Sequence, residues 1–355
     1  MSLMQRNWDI FCRVIDNYGD IGVCWRLARQ LTHEYGFKVR LWVDEPASLA
    51  IMCPALQPHL ATQSIDGVEV RLWPDAFPEV SVADVVIEAF ACDLPESYVL
   101  AMAAREDPPR WINLEYLTAE PWADSCHGMA SPHPRHALTK HFFFPGFLDD
   151  HRGLLREDDL IQRRDHFQAQ LAPRDTLEIS LFCYDSAPVG ALIALWASSP
   201  TPIHCYVPPG KPLAAVTAYL GGSGPWQIGS LQITPIPFLP QTEFDQLLWR
   251  CDLNFVRGED SLVRAIWAGR PMVWQIYEQE DQAHLVKLNA FLESHTLAMP
   301  AHVADAIKAM FMAWNTGKGL EAAWPVFFAL RIEIAEAQKN WAKKLVDRND
   351  LASNL

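Results

Sequence analysis

The sequence predicts an α/β fold made of two Rossmann-like, doubly wound domains and a C-terminal helix. Three observations lead there. Strand-like and helix-like stretches alternate along both halves of the chain. Some strands, such as Asp84 to Phe90, are nearly continuous apolar runs, the pattern of parallel strands buried on both faces. The 355 residues, half of them apolar, exceed one typical core and suit two domains of about 150 residues each.

Charge and cysteine usage narrow the function classes. A net charge of −14 argues against general nucleic-acid binding, which needs a basic face to neutralise phosphates, and is compatible with a basic protein partner. The eight cysteines form no CxxC pair and no dense framework, so they read as reduced, mostly buried thiols of a cytoplasmic protein. No signal-peptide pattern and no run of 18 apolar residues occurs, so neither secretion nor membrane insertion is expected.

The first domain opens on an apolar run (Ile10, Phe11, Cys12, Val14, Ile15), the turn Asp16-Asn17-Tyr18-Gly19-Asp20-Ile21-Gly22, and a helix carrying Val23, Leu27, Ala28 and Leu31. In open α/β sheets ligands bind beyond the carboxyl ends of the strands, so Asp16 and Asp20 sit at a ligand crevice. The plainer reading makes Asp16 a turn cap and Asp20 a helix cap. Strands follow at Lys38 to Val43, Val68 to Trp73 and Asp84 to Phe90, then a helix over Pro95 to Arg105 and a strand over Arg110 to Tyr116. From Pro121 to His151 the periodicity breaks. The five histidines there (127, 133, 136, 141, 151) lack the repeated short spacing of a metal site and read as an ordered loop. Lys140 to Phe147 is the last strand of the domain. The first domain is placed at 1–155, with a charged linker at 156–175.

The second domain, 176–330, repeats the alternation. Strands are expected at Leu177 to Tyr184, Pro202 to Val207, Leu231 to Pro237, Asp252 to Val256 and Met272 to Tyr277. Helices are expected at Val189 to Ala197, Thr242 to Arg250, Ser261 to Ala268 and Asp281 to about Ser294. The tail is helical, and 331–355 is assigned as a C-terminal helix packing near the first domain. Two such domains facing each other across a cleft is the GT-B arrangement of glycosyltransferases.

Within this domain Arg257-Gly258-Glu259-Asp260-Ser261 separates a strand from a helix. Gly258 permits close backbone approach, Ser261 and the helix-start N–H groups offer a phosphate site, and Arg257 adds a fork-shaped cation. Glu259 or Asp260 either accepts hydrogen bonds from sugar hydroxyls or caps the helix. Gly269-Arg270-Pro271 and Asp281-Gln282 follow in an order similar to the nucleotide-sugar motif of many GT-B enzymes, with Arg-Gly-Glu-Asp where that motif usually has His-Gly-Gly. Upstream, Phe238-Leu239-Pro240-Gln241 offers an aromatic face and an amide to a base. Phe182 and Tyr184 end the domain's first strand; the Tyr184 hydroxyl is available to a phosphate and Phe182 reads as core.

The stretches FCRVIDNYGDIGVCWRLARQL, INLEYLTAE, KHFFFPGF and FVRGEDSLVRAIWAGRPMVWQIY together resemble the protein-arginine rhamnosyltransferases of translation elongation factor P, the EarP family of GT-B glycosyltransferases. The resemblance runs through most of the chain. It implies dTDP-β-L-rhamnose as donor, an arginine of elongation factor P as acceptor and inversion at the anomeric carbon. It also implies that Asp16 and Asp20 are needed for activity, and that Tyr184, Phe238, Leu239, Gln241, Arg257, Glu259, Asp260 and Ser261 contact the donor. Asn17 and Gly19 of the opening turn join that donor set, the glycine by letting the turn approach the sugar. The stretch Asp149-Asp150-His151-Arg152 departs from the family pattern.

An arginine acceptor stays protonated, with delocalised lone pairs, so a carboxylate pair is suited to grip it and turn one nitrogen toward the sugar. Asp20 is assigned as the base and Asp16 as its support or the guanidinium's, with Glu259 a third candidate catalytic residue. Arg257, Ser261 and helix N–H groups stabilise the departing dTDP, donors of a kind worth about 3 kcal/mol each. No Asp-x-Asp element ends a strand, so no metal and no cofactor beyond the donor is expected. Two other readings are another GT-B reaction, with a small-molecule acceptor or an epimerisation, and a non-catalytic nucleotide-sugar-binding protein.

Overall fold

The computed structural model describes residues 6–15, 18–147 and 152–355, so Asp16, Asn17, Asp149, Asp150 and His151 lie outside the described residues. The chain divides into two compact units, Met1–Asp158 with Arg348–Leu355, and Asp159–Asp347.

The first unit runs β1 (Asn7–Cys12), α1 (Gly19–His33), β2 (Lys38–Val43), α2 (Pro46–Met52), β3 (Thr62–Ile65), β4 (Val68–Leu72), β5 (Val85–Ala89), α3 (Glu96–Ala103), β6 (Arg110–Leu114), α4 (Trp122–Cys126), β7 (Ala130–Pro132) and β8 (Thr139–Phe143). The sheet order is β3-β4-β2-β1-β5-β6-β8-β7. Its six inner strands are parallel, and the edge strands β3 and β7 each return antiparallel to a neighbour. All five residues of β5 are buried, as the continuous apolar run requires of a strand covered on both faces. On one face Phe11 stacks on Trp42 at 5.8 Å, with Trp73, Val86, Tyr98, Met102 and Trp111 in the same cluster. That face also buries Asp9, whose carboxylate receives the Arg40 fork at 2.5 Å and the Tyr98 hydroxyl. The two edge strands, of four and three mixed residues, and α2, of seven, escape sequence reading because elements so short carry no resolvable period.

The second unit runs α5 (Leu160–Ala169), β9 (Leu177–Leu181), α6 (Val189–Ala197), β10 (Ile203–Val207), α7 (Lys211–Leu220), β11 (Trp226–Ile228), β12 (Leu231–Pro235), α8 (Gln241–Arg250), β13 (Leu253–Arg257), α9 (Gly258–Ala268), β14 (Met272–Gln275), α10 (Ala283–Thr296), α11 (Ala301–Thr316), α12 (Leu320–Ala329) and α13 (Arg331–Val346). Its sheet order, β11-β12-β10-β9-β13-β14, is parallel except for the antiparallel edge strand β11. Both sheets reverse direction beside their first strand, β1 next to β5 and β9 next to β13. These are the switch points at which open α/β sheets bind ligands.

Three segments differ from expectation. The span 156–175, expected as linker, holds α5, which docks within the second unit: Arg164 donates to the Trp267 carbonyl at 2.7 Å and Gln168 to those of Trp249 and Ala268. The expected single helix over 331–355 is two. The first, α13, stays in the second unit, while Asp350 accepts from the N–H groups of Ala352 and Ser353 and starts a new helix, α14 (Leu351–Asn354). That helix belongs to the first unit, where Leu351 donates to the Leu154 carbonyl and Gln30 to Asp350. Finally, the stretch from Pro121 to His151, expected as loop ahead of a last strand at Lys140 to Phe147, contains α4 and β7 as well as that strand, which is β8 and ends at Phe143. Among its histidines, His127 accepts from the Phe144 N–H and His133 from those of Arg135 and His136, so both ring nitrogens stabilise turns.

All eight cysteines are free thiols and seven are buried. Among the described residues no helix is long and apolar enough to cross a membrane.

Arg152 is 2% exposed and ties down the loops after β6 and β8, donating to the carbonyls of Thr118, Phe144 and Pro145 and to Asp124. Gly146 makes room for it, since a Cβ there would meet the guanidinium carbon at 2.5 Å. Arg152→Met removes the donor shared by three carbonyls and a carboxylate; it should lower unfolding free energy by about 3–5 kcal/mol in a denaturant titration. In the second unit His295, buried against Trp341 and hydrogen-bonded to Gln338 at 2.6 Å, has its pKa lowered by burial to about 4. The unfolded chain, with a histidine near 6.5, therefore binds the proton first, and stability contributed by the neutral ring is lost as pH falls from about 6.5 to about 4. Unfolding midpoints of His295→Gln across this window should fall less steeply than those of the wild type.

Candidate active site

Each unit presents its chemistry-bearing residues on loops at the carboxyl ends of parallel strands. In the first, the chain leaving β1 is fixed by two carboxylates. The Val14 N–H donates to Asp44 at 3.0 Å and the Ile15 N–H donates to Asp20 at 2.9 Å. Asp20 is 3% exposed and lies in the first turn of α1; the N-cap is Tyr18, whose side chain makes no capping bond. The cap reading of Asp20 is thereby replaced: its carboxylate reaches back to a backbone N–H ahead of the helix, which fixes its orientation at the switch point. Gly19 opens the helix and is part-exposed, and Tyr18 accepts the Gly22 N–H at its carbonyl. Beneath them burial and the neighbouring Cys24 thiol, with Asp20 and Asp44 adding repulsion, hold the Cys12 thiol well above its usual range, so it stays protonated.

In the second unit Arg257 ends β13 and is 6% exposed. Its guanidinium lies 4.4 Å from the Tyr184 ring centre and 4.7 Å from that of Phe182, so the two aromatic residues after β9 form its bed. Phe182 therefore does more than fill core. The Tyr184 N–H donates to Gln275 at 2.7 Å, and the same amide donates to Ser186, which fixes the loop. Gly258 has φ +65°, a conformation that L side chains resist by about 1–2 kcal/mol, and it lets α9 begin one residue after Arg257. The Trp274 indole donates to the Gly258 carbonyl at 2.8 Å.

The remaining expected donor residues stand on the chain after β13 and after β12. The Ser261 hydroxyl accepts the Arg257 N–H at 3.1 Å and donates to the Arg257 carbonyl, so it holds the turn together as well as standing at the helix start. Glu259 pairs with Lys287 of α10 at 2.8 Å, which orients its carboxylate, and Asp260 is part-buried beside it. Phe238 and Leu239 are part-buried on the chain leaving β12, and Gln241 is buried at the first position of α8, one residue earlier than the helix was expected. Asp281 and Gln282, expected inside a helix, precede it with φ of +56° and +57°.

Sequence reading passed over Asp44, Gln275, Lys287, Lys211 and Asp185. A strand-end signal marks some of them: Asp44 follows β2 directly and Gln275 closes β14. Lys211, the first residue of α7, and Asp185, in the loop after β9, pair at 3.3 Å but carry no motif.

A family model described as elongation factor P (EF-P) rhamnosyltransferase EarP matches residues 8–355. The chain is 45% identical to a protein-arginine rhamnosyltransferase of Pseudomonas aeruginosa, covering 98% of this chain and 97% of that one, and 37% identical to that of Shewanella oneidensis, covering 98% and 96%. A solved structure presented as the structural basis for EarP-mediated arginine glycosylation of translation elongation factor EF-P is similar with a TM-score of 0.66 and 32% identity, covering 98% of this chain and 96% of that one. The MurG structure of Acinetobacter baumannii, at TM-score 0.51 and 12% identity over 96% and 98% of the two chains, shares the fold alone. The chain belongs to the EarP family of protein-arginine rhamnosyltransferases and is a glycosyltransferase of the GT-B fold class.

Proposed function

We propose that this enzyme moves L-rhamnose from dTDP-β-L-rhamnose to an arginine side chain of elongation factor P, with inversion at the anomeric carbon and Asp20 as general base. The observation that carries the mechanism is Asp20 itself, a carboxylate 3% exposed and oriented by the Ile15 N–H at the switch point of the first sheet. The donor and acceptor rest on the family: its model is described as an EF-P rhamnosyltransferase, and the similar solved structure concerns arginine glycosylation of EF-P.

The first unit supplies the base and the second holds the donor. A guanidinium nitrogen of the acceptor attacks the anomeric carbon as the bond from that carbon to the diphosphate oxygen breaks, its electron pair leaving with dTDP. The attacking nitrogen becomes acidic only as the new C–N bond forms, so Asp20 takes its proton without needing a pKa near that of free arginine. Asp16, outside the described residues, is assigned to orient the guanidinium or support Asp20, with Asn17 and Gly19 approaching the sugar. In the second unit Arg257 and the start of α9 stabilise the charge gathering on dTDP. Glu259 and Asp260 bind sugar hydroxyls, Tyr184 and Ser261 the phosphates, and Phe238, Leu239 and Gln241 the base. No metal is assigned a role, and the site of action is the cytoplasm.

Asp20→Asn should abolish rhamnosyl transfer while calorimetry still detects dTDP binding; transfer retained within tenfold of wild type would remove Asp20 as base. In mass spectrometry, elongation factor P incubated with enzyme and dTDP-rhamnose should gain one deoxyhexose on arginine, and a gain on a small acceptor instead would favour another GT-B reaction. With a chain of net charge −14 approaching an arginine-bearing loop, KM for the protein acceptor should rise with ionic strength. A KM indifferent to salt would rule out this steering.

A further inference from the structure

One cation at the carboxyl edge of the second sheet has no part in the reading above. Lys211 is the first residue of α7, presented by the turn after β10 in which Gly210 has φ +86°. In the sheet β10 and β13 flank β9, so Lys211 and Arg257 approach the β9 loop from its two sides. They meet on one side chain: the Lys211 ammonium is 5.5 Å from the centre of the Tyr184 ring and the Arg257 guanidinium 4.4 Å from it. Two like charges gathered on one ring repel, and the nearby anion that tempers them is Asp185, 3.3 Å from Lys211. Its own backbone N–H, then Lys211, then Arg257 hold the Asp185 carboxyl below the usual carboxylate range, so this carboxylate responds to both cations. Arg257 is buried, whereas the Lys211 and Asp185 side chains are 41% and 73% exposed, which leaves the pair free to exchange partners with a ligand.

We propose that Lys211 is a second diphosphate-binding residue of the donor site, and that Asp185 is the internal anion that holds it there until the phosphates of the donor take its place. The inference rests on the reading that the second unit binds a nucleoside diphosphate sugar. An ammonium on a flexible stem is suited to the task, since it follows a phosphate as a point charge while the buried guanidinium stays fixed.

Titration calorimetry with dTDP on the full chain tests it. Lys211→Met should weaken dTDP binding about tenfold or more, Lys211→Arg should restore it to within about threefold of wild type, and Asp185→Asn should bind as tightly as wild type or more tightly. The inference is overturned if Lys211→Met binds within twofold of wild type. It is equally overturned if Asp185→Asn loses as much affinity as Lys211→Met, because the pair would then serve only to hold the loop. If the wild type binds dTDP and only the Lys211 variants behave normally, the donor reading survives without this residue. Failure of the wild type to bind dTDP would remove both.

Discussion

A guanidinium cannot shed its charge, so burying Arg257 to 6% exposure costs several kcal/mol of desolvation unless its surroundings compensate. Much of the second unit's carboxyl edge follows from that demand. Two aromatic faces stand where β9 ends, because π faces accept a flat cation once water is gone. One of them, Tyr184, is in turn held by Gln275 through its backbone N–H, so the amide at the end of β14 positions a residue after β9. The left-handed Gly258 lets α9 start directly after the arginine, and Ser261 closes that turn onto Arg257 backbone. A fixed cation beside a helix N-terminus is suited to an anion, and fixing it beforehand removes the reorganisation that a mobile side chain would need on binding.

The first unit solves a complementary problem, holding a carboxylate still where the chain turns away from the sheet. Asp44 at the end of β2 and Asp20 in the first turn of α1 take successive N–H groups, those of Val14 and Ile15, so the backbone and the carboxylate orient each other. A carboxylate bonded in this way to the backbone ahead of its own helix has a fixed direction. The loops after β6 and β8 are set by a different device, the buried Arg152 and its three carbonyls.

The alternation of strand and helix was legible in the sequence because strands buried on both faces, such as Val85–Ala89, are nearly continuous apolar runs, and helices such as Val189–Ala197 are longer apolar stretches between them. The Asp20 turn and the Arg257 corner were legible too, since each stands between a strand and a helix. What stayed hidden was contact between elements distant in sequence. Nothing in the neighbourhood of Lys211 announces Tyr184, and nothing near Glu259 announces Lys287, 28 positions later. Edge strands β3, β7 and β11 were invisible for another reason: three or four residues held by one neighbour need neither a long apolar run nor a clear alternation. The break between α13 and α14 depended on a capping aspartate, Asp350, in a polar stretch that periodicity cannot parse.

Backbone strain marks the same loops independently of side-chain chemistry. Among the described residues six non-glycine positions have positive φ, and five of them lie beyond strand carboxyl ends: Phe90, Ala91 and Asp93 after β5, and Asp281 and Gln282 after β14. The sixth, Asp66, sits in the tight turn between the antiparallel strands β3 and β4, where such a conformation is ordinary. Each strained residue costs of order 1 kcal/mol or more and persists only where surrounding structure over-determines it. The β5 loop shows how: Phe90 donates its N–H to Leu114 and stacks on Tyr116 at 4.6 Å, while the Cys92 thiol reaches the Phe11 carbonyl of β1. The last of these contacts joins the β5 loop to β1, the strand that precedes the Asp20 turn. Since β1 and β5 are the pair at which the strand order of the first sheet reverses, the strained loop and the oriented carboxylate both follow strands of one switch point.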